Sequence, residues 1–277
     1  MHKTLCALMV VVTGTVAVFA QGASSPSPSS VVSAVPPDVV KDLAPTGKLR
    51  AAINVSNIVL AQRDPAGGDP RGITVDLARE LARRLQVPIE LVIFESAGRV
   101  TEATRTGAWD VSFLAIEPVR AAQMAFTAPY VLIEGTFMVP ADSPLKTIAD
   151  VDRAGVRIGV ARGSAYDLYL TRTVKNATLV RYPTASLAVP GFIADKLEAV
   201  AGVRQPLMLF AKTNPNVRVM DGRFQVISEA IGTPLGRDVG VRYLKTFVEE
   251  MKATGFVAKA LERSNQPGAT VAPPAEN

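Results

Sequence analysis

An α/β fold made of parallel layers is predicted for this chain by two observations. Apolar runs of strand length alternate with segments of helical period, and this alternation occurs twice, before and after an apolar run at residues 131–139. Strand and helix alternating in this way form parallel sheets with helices on their faces rather than sandwiches. The length of 277 residues suits two modest domains or one large one, and 48% hydrophobic residues supply ample core.

The first strand is expected at LRAAINV (49–55), followed by a polar Gly/Pro-rich loop, RDPAGGDPRG (63–72). Residues 75–85 carry apolar side chains at 77, 78, 81, 82 and 85, the spacing of a helix with one buried face. Val87-Pro88 ends that helix, residues 89–94 form the next strand, and a short helix is expected at 99–106. A central strand follows at 109–116, with Trp109 in the core, and Glu117-Pro118 ends it because proline cannot continue a central strand. Arg120 stands just past that end, where ligands of open α/β sheets collect, so it reads either as a cation placed to grip an anion or as a surface arginine in a loop.

In the second series, strands are expected at 156–161, 178–182 and 198–202, with helices at 165–175, 185–196 and 205–213. Residues 224–233 form a return strand, and 241–263 an amphipathic helix pair broken near Gly255. The flanks differ in composition. Residues 1–20 have the pattern of a cleavable signal peptide, with small residues before a cut at Gln21. Residues 21–45 are a Ser/Pro-rich spacer whose last residues begin to dock, and 266–277 are expected to be disordered.

Cleavage after Ala20 would remove His2 and Cys6, the only histidine and cysteine. The mature chain then lacks imidazole and thiol, which excludes Ser–His–Asp and Cys–His catalysis and zinc sites built on those groups. No cofactor, metal or catalytic residue is expected. The net charge of +5 is spread without a Lys/Arg block, so nucleic acid is not an expected partner.

Five motifs in order carry a resemblance: GITVDLARELARRL (72–85), GAWD (107–110), IEPVR (116–120), FTAPY (126–130) and VRIGVARGSAYDLYL (156–170). Together they resemble the extracytoplasmic solute-binding proteins of the amino-acid type, family 3 of the type II periplasmic-binding-protein fold. The resemblance implies two lobes: 46–138 with 224–265, and 139–223, joined by two crossover strands. It also implies a cleft in which Arg120 grips the ligand carboxylate. Gly163 and Ser164 face it from the second lobe. Ser164 with Asp167 forms an S-x-x-D capping box, and the same helix start presents N–H groups to an anion.

The chain departs from that family in three places. Val203 stands where amino-acid binders carry an aspartate for the ligand ammonium, and Arg204 follows it. The loop after the first strand has Asn57 and its neighbours instead of aromatic residues, and Ala115 and Glu117 replace hydroxyl-bearing residues before Arg120. A desolvated ammonium without an acceptor costs several kcal/mol. The preferred ligand is therefore an organic anion without an α-amino group, with Arg120 and Arg204 gripping two acidic ends. Glu117 as a substitute acceptor keeps the amino-acid reading open.

The resemblance implies a periplasmic monomer that delivers a small carboxylate to an inner-membrane permease of the ATP-binding-cassette (ABC) type. A ligand sensor is one alternative. A second is an enzyme similar to cyclohexadienyl dehydratases, in which Glu117 or Glu134 would be the general acid or base.

Overall fold

A single mixed sheet runs through the computed structural model, which describes His2, residues 35–265 and residues 268–276. The expected signal peptide and residues 21–34 of the expected spacer lie outside the described residues, apart from His2. The first half of the chain supplies α1 (Pro37–Leu43), β1 (Leu49–Asn54), α2 (Ile73–Leu85), β2 (Ile89–Phe94), α3 (Ala97–Ala103), β3 (Val111–Ala115), α4 (Pro118–Ala121) and β4 (Met124–Pro140). The second half supplies β5 (Arg157–Ala161), α5 (Ala165–Thr173), β6 (Thr178–Tyr182), α6 (Ala185–Ala194), β7 (Ala199–Val203), α7 (Arg204–Thr213) and β8 (Val217–Val219). It ends with β9 (Gln225–Pro234), α8 (Asp238–Ala253), α9 (Phe256–Arg263) and β10 (Thr270–Val271).

The strand order is β2-β1-β3-β9-β4-β7-β5-β6, with β8 and β10 also paired to β4. β1 lies parallel to β2 and β3, and β5 lies parallel to β6 and β7. The two parallel sets are the sheets of two lobes. Between them run β4 and β9, antiparallel to each other and to their neighbours. The spans of the expected strands and helices agree with these elements to within a few residues, as hydrophobic period allows.

α2 shows why the first lobe holds together. Ile73, Val75, Leu77, Ala78, Leu81 and Leu85 are all buried on the face it turns to the core. Asp110, the acid of GAWD, is fully buried. It accepts from Arg50 N, Nε and Nη2 at 2.8–3.0 Å, and from Arg237 Nη1 at 3.0 Å. A buried carboxylate persists only with such partners, so this motif residue holds β1 to β3 and stays out of the cleft. Trp109 is core as expected, its indole N–H donating to Val100 O at 3.0 Å.

Two expectations need correction, the reach of the spacer and the disorder of the tail. The spacer ends sooner, because α1 buries Val39 and Leu43 and Asp42 Oδ2 accepts from Gly240 N at the start of α8. FTAPY is part of the continuous 17-residue strand β4, which accommodates Pro129 through register shifts between Phe126 and Val131. The tail is ordered at 268–276, where β10 pairs with β4, Ala272 is buried and Lys252 Nζ donates to Pro273 O. β8, too short to carry a period, was not expected.

Candidate functional site

A cavity of about 410 Å³ lies between the lobes, lined from the carboxyl ends of β1, β3, β5 and β7. The first lobe contributes the 54–58 loop, the start of α3 and the end of β3; the second contributes the turn into α5 and parts of α6 and α7. β9 adds Ile227 and Glu229. Parallel strand ends are where such folds hold ligands.

Arg120 lines this cavity, yet only 1% of it is exposed. Pro118 opens α4, which folds Arg120 back under the end of β3. Nη1 donates to Ala115 O at 2.8 Å and Nη2 to Gly163 O at 2.9 Å, while Nε is buried without a partner among the described residues. Burial lowers its pKa, and Glu229 and Glu117 oppose that shift. The guanidinium stays charged, as arginine does in proteins.

Ser164 caps α5, its Oγ accepting from Asp167 N at 3.0 Å. The Asp167 carboxylate accepts from Gly163 N at 2.8 Å, one residue before the N-cap, so the serine half of the expected capping box is present and its return bond is shifted by one residue. Ser164 also lines the cavity, at the helix N-terminus. Gly163 is outside the lining and has φ +70°. A Cβ placed on it would lie 2.7 Å from Gly98 Cα, so two glycines let the lobes touch here.

Asn57, Ala115 and Val203 line the cavity with Arg120 and Ser164. Glu117 and Arg204 do not. Glu117 is 2% exposed, pairs with Arg172 Nη2 at 2.6 Å and accepts from Gln225 Nε2 at 2.9 Å. Arg204 is drawn away by strand pairing. Gly135 on β4 registers with Val203 on β7, which sets Glu134 beside Arg204 at 2.7 Å. Arg204 also donates to Gly222 O, and Arg223 completes the cluster. Hydrogen bonds from Arg204 and Arg223 hold the Glu134 carboxyl below its usual range. Neither carboxylate named for an acid–base role therefore reaches the cavity wall.

The model of the bacterial extracellular solute-binding proteins, family 3, matches residues 49–265. The chain belongs to that family. A glutamine-binding protein of Geobacillus stearothermophilus is 22% identical over 192 residues, 68% of this chain and 72% of the relative. The solute receptor for L-cysteine of Neisseria gonorrhoeae superposes with a TM-score of 0.72 at 22% identity, covering 83% of this chain and 94% of that one. An ancestral amino-acid-binding protein, a precursor of cyclohexadienyl dehydratase, gives 0.68 at 21%, covering 81% and 98%. These likenesses establish the two-lobed type II periplasmic-binding-protein fold.

Four charged residues on the cavity lining of this family 3 protein escaped the sequence reading: Arg63 and Glu95, which pair with each other, and Glu229 and Arg162. Glu229 on β9 registers with Ala115 on β3 and is 5% exposed. Burial raises its pKa to about 7 against the downward pull of Arg120. Its signal was present: residues 227, 229 and 231 share one strand face, and a carboxylate between two buried isoleucines is rare without a task. Arg162, beside Gly163, is exposed on the cavity lining and makes no side-chain hydrogen bond or ion pair among the described residues. No helix among the described residues is long and apolar enough to cross a membrane.

Proposed function

We propose that this chain is an extracytoplasmic receptor that encloses a small carboxylate-bearing solute between its lobes and delivers it to an inner-membrane importer of the ABC type. Arg120 carries this reading. It is a buried cation on the cavity wall, and its Nε has no partner among the described residues. A ligand carboxylate would satisfy that donor, and the Ser164 helix start would face it from the other lobe. Export rests on residues 1–20 acting as a signal peptide.

The preference for a solute without an α-amino group rested on Val203, which does line the cavity. Glu229 brings an acid to the wall from another strand and removes the basis for that preference. The dehydratase alternative loses both of its named acids, since Glu117 and Glu134 are outside the lining.

The test is a thermal-shift screen against amino acids and small mono- and dicarboxylates, followed by calorimetric titration. A ligand at 100 times its dissociation constant stabilises by about 2.7 kcal/mol. Failure of every carboxylate to stabilise the protein would sink the reading. Conversion of prephenate or arogenate to an aromatic product would replace it with the enzymatic one.

A further inference from the structure

We infer that Glu229 is the acceptor for a cationic group on the ligand, so that the cleft selects a zwitterion spanning from Arg120 to Glu229. The inference rests on the proposed carboxylate receptor and assigns the other end of its ligand.

Glu229 lines the cavity, is almost fully buried, and accepts no hydrogen bond from the described residues. Arg120 is the cation it senses, but the two form no direct ion pair. Both terminal nitrogens of Arg120 are committed to the carbonyls of Ala115 and Gly163. A positive and a negative group therefore share one cavity wall without satisfying each other. A molecule carrying both charges close together matches that wall.

The other charged groups do not compete for the role. Glu95 also lines the cavity but is exposed and paired with Arg63. Glu117 is held by Arg172 and Gln225, and Val203 closes the place where an acid from β7 would stand. A plain carboxylate bound at Arg120 would meet a buried acid of its own sign or force it to hold a proton. An ammonium group resolves this conflict by supplying the missing donor. Much of the remaining wall is apolar, with Ile58, Phe113, Val189, Leu207 and Ile227, so an apolar part of the ligand has surface to cover, while Arg162 stands on the same lining.

The test compares free amino acids with the same molecules lacking the amino group, by calorimetric titration of the native protein and Glu229→Gln. Suitable pairs are L-leucine with 4-methylpentanoate, L-phenylalanine with 3-phenylpropionate, and L-glutamine with glutaramate. The native protein should bind at least one amino acid tenfold or more tightly than its partner, and E229Q should reduce that ratio to near one. Equal or tighter binding of the deaminated partners by the native protein would overturn the assignment and leave the carboxylate receptor standing. So would an amino-acid preference that survives in E229Q. If neither member of any pair binds, this inference falls, and the wider carboxylate screen decides the receptor reading. The native ratio decides the matter by itself should E229Q fold poorly.

Discussion

Arg120 donates from Nη2 to the carbonyl oxygen of Gly163 at 2.9 Å, and this bond joins the two lobes at the edge of the cavity. The anchor expected for the ligand is thus also a brace between lobes. Its burial follows, because the second lobe covers what the end of β3 alone would leave open.

That double role changes what Arg120→Ala should do. Two hydrogen bonds from a charged donor are lost, each worth about 1.5–3 kcal/mol, so the melting temperature should fall by several degrees along with binding. Arg120→Lys should restore little of either, since a point charge cannot reach two carbonyls in the same fork geometry. Adding Glu229→Gln to the alanine variant should recover part of the stability by removing an acid left without its cation. An alanine variant with native affinity would show that ligand binds elsewhere.

Gly163→Ala tests the contact with Gly98. An L-residue at φ +70° costs roughly 1–2 kcal/mol, and the added Cβ would press on Gly98 Cα. The fold should survive while closure is disfavoured. Affinity should drop about tenfold, and the radius of gyration in saturating ligand should stay larger than that of the native protein. Native compaction in scattering would refute the glycine contact as a requirement for closure.

Stability should depend on pH through Glu229, whose pKa rises from an ordinary 4.5 to about 7 on folding. Below 4.5 the group holds its proton in both states. Between 4.5 and 7 the folded state keeps the proton and the unfolded chain loses it, so stability falls as pH rises through this window. Without added ligand, the protein should therefore melt several degrees higher at pH 5 than at pH 8. Glu229→Gln should flatten that difference. Glu134, held low by its arginines, loses its contribution only at lower pH and does not blur the comparison. A melting temperature that rises from pH 5 to pH 8 would contradict the assignment.

Arg204→Ala should leave ligand affinity within about twofold of native, because Arg204 is committed to Glu134 and Gly222 outside the cavity lining. The pair is partly exposed, so its loss should cost no more than about 1 kcal/mol. A large drop in dicarboxylate affinity would return Arg204 to the site, as the sequence alone suggested.

Most of the architecture was legible because hydrophobic period is a local signal. α2 and β2 announce themselves through apolar spacing, and Gly255 breaks the α8–α9 pair through its positive φ. Arg120 and Ser164 were found because short motifs carry them. What failed to show was register between distant strands. Arg204 lies beside Glu134 only because β4 and β7 align residues 135 and 203, and Glu229 faces the cavity only because β9 inserts between β3 and β4. No window of sequence contains those pairings. The alternation around Glu229 was the one local trace of its position.

β4 and β9 have a mechanical consequence for this solute-binding protein. They pair from Met124–Pro234 to Gly135–Gln225 and form the stretch of sheet that separates the two parallel sets. A relative movement of the lobes must therefore be taken up as twist along this ribbon, since sliding would break its ladder. The register shifts between Phe126 and Val131 lie within the same ribbon, where the ladder is already interrupted and torsion is least resisted. The C-terminal strand β10 is fastened to residues 131 and 132, immediately beside that interruption. The end of the chain thus acts as a splint on the torsion element, and trimming it would loosen the gait of the whole molecule without touching the cleft.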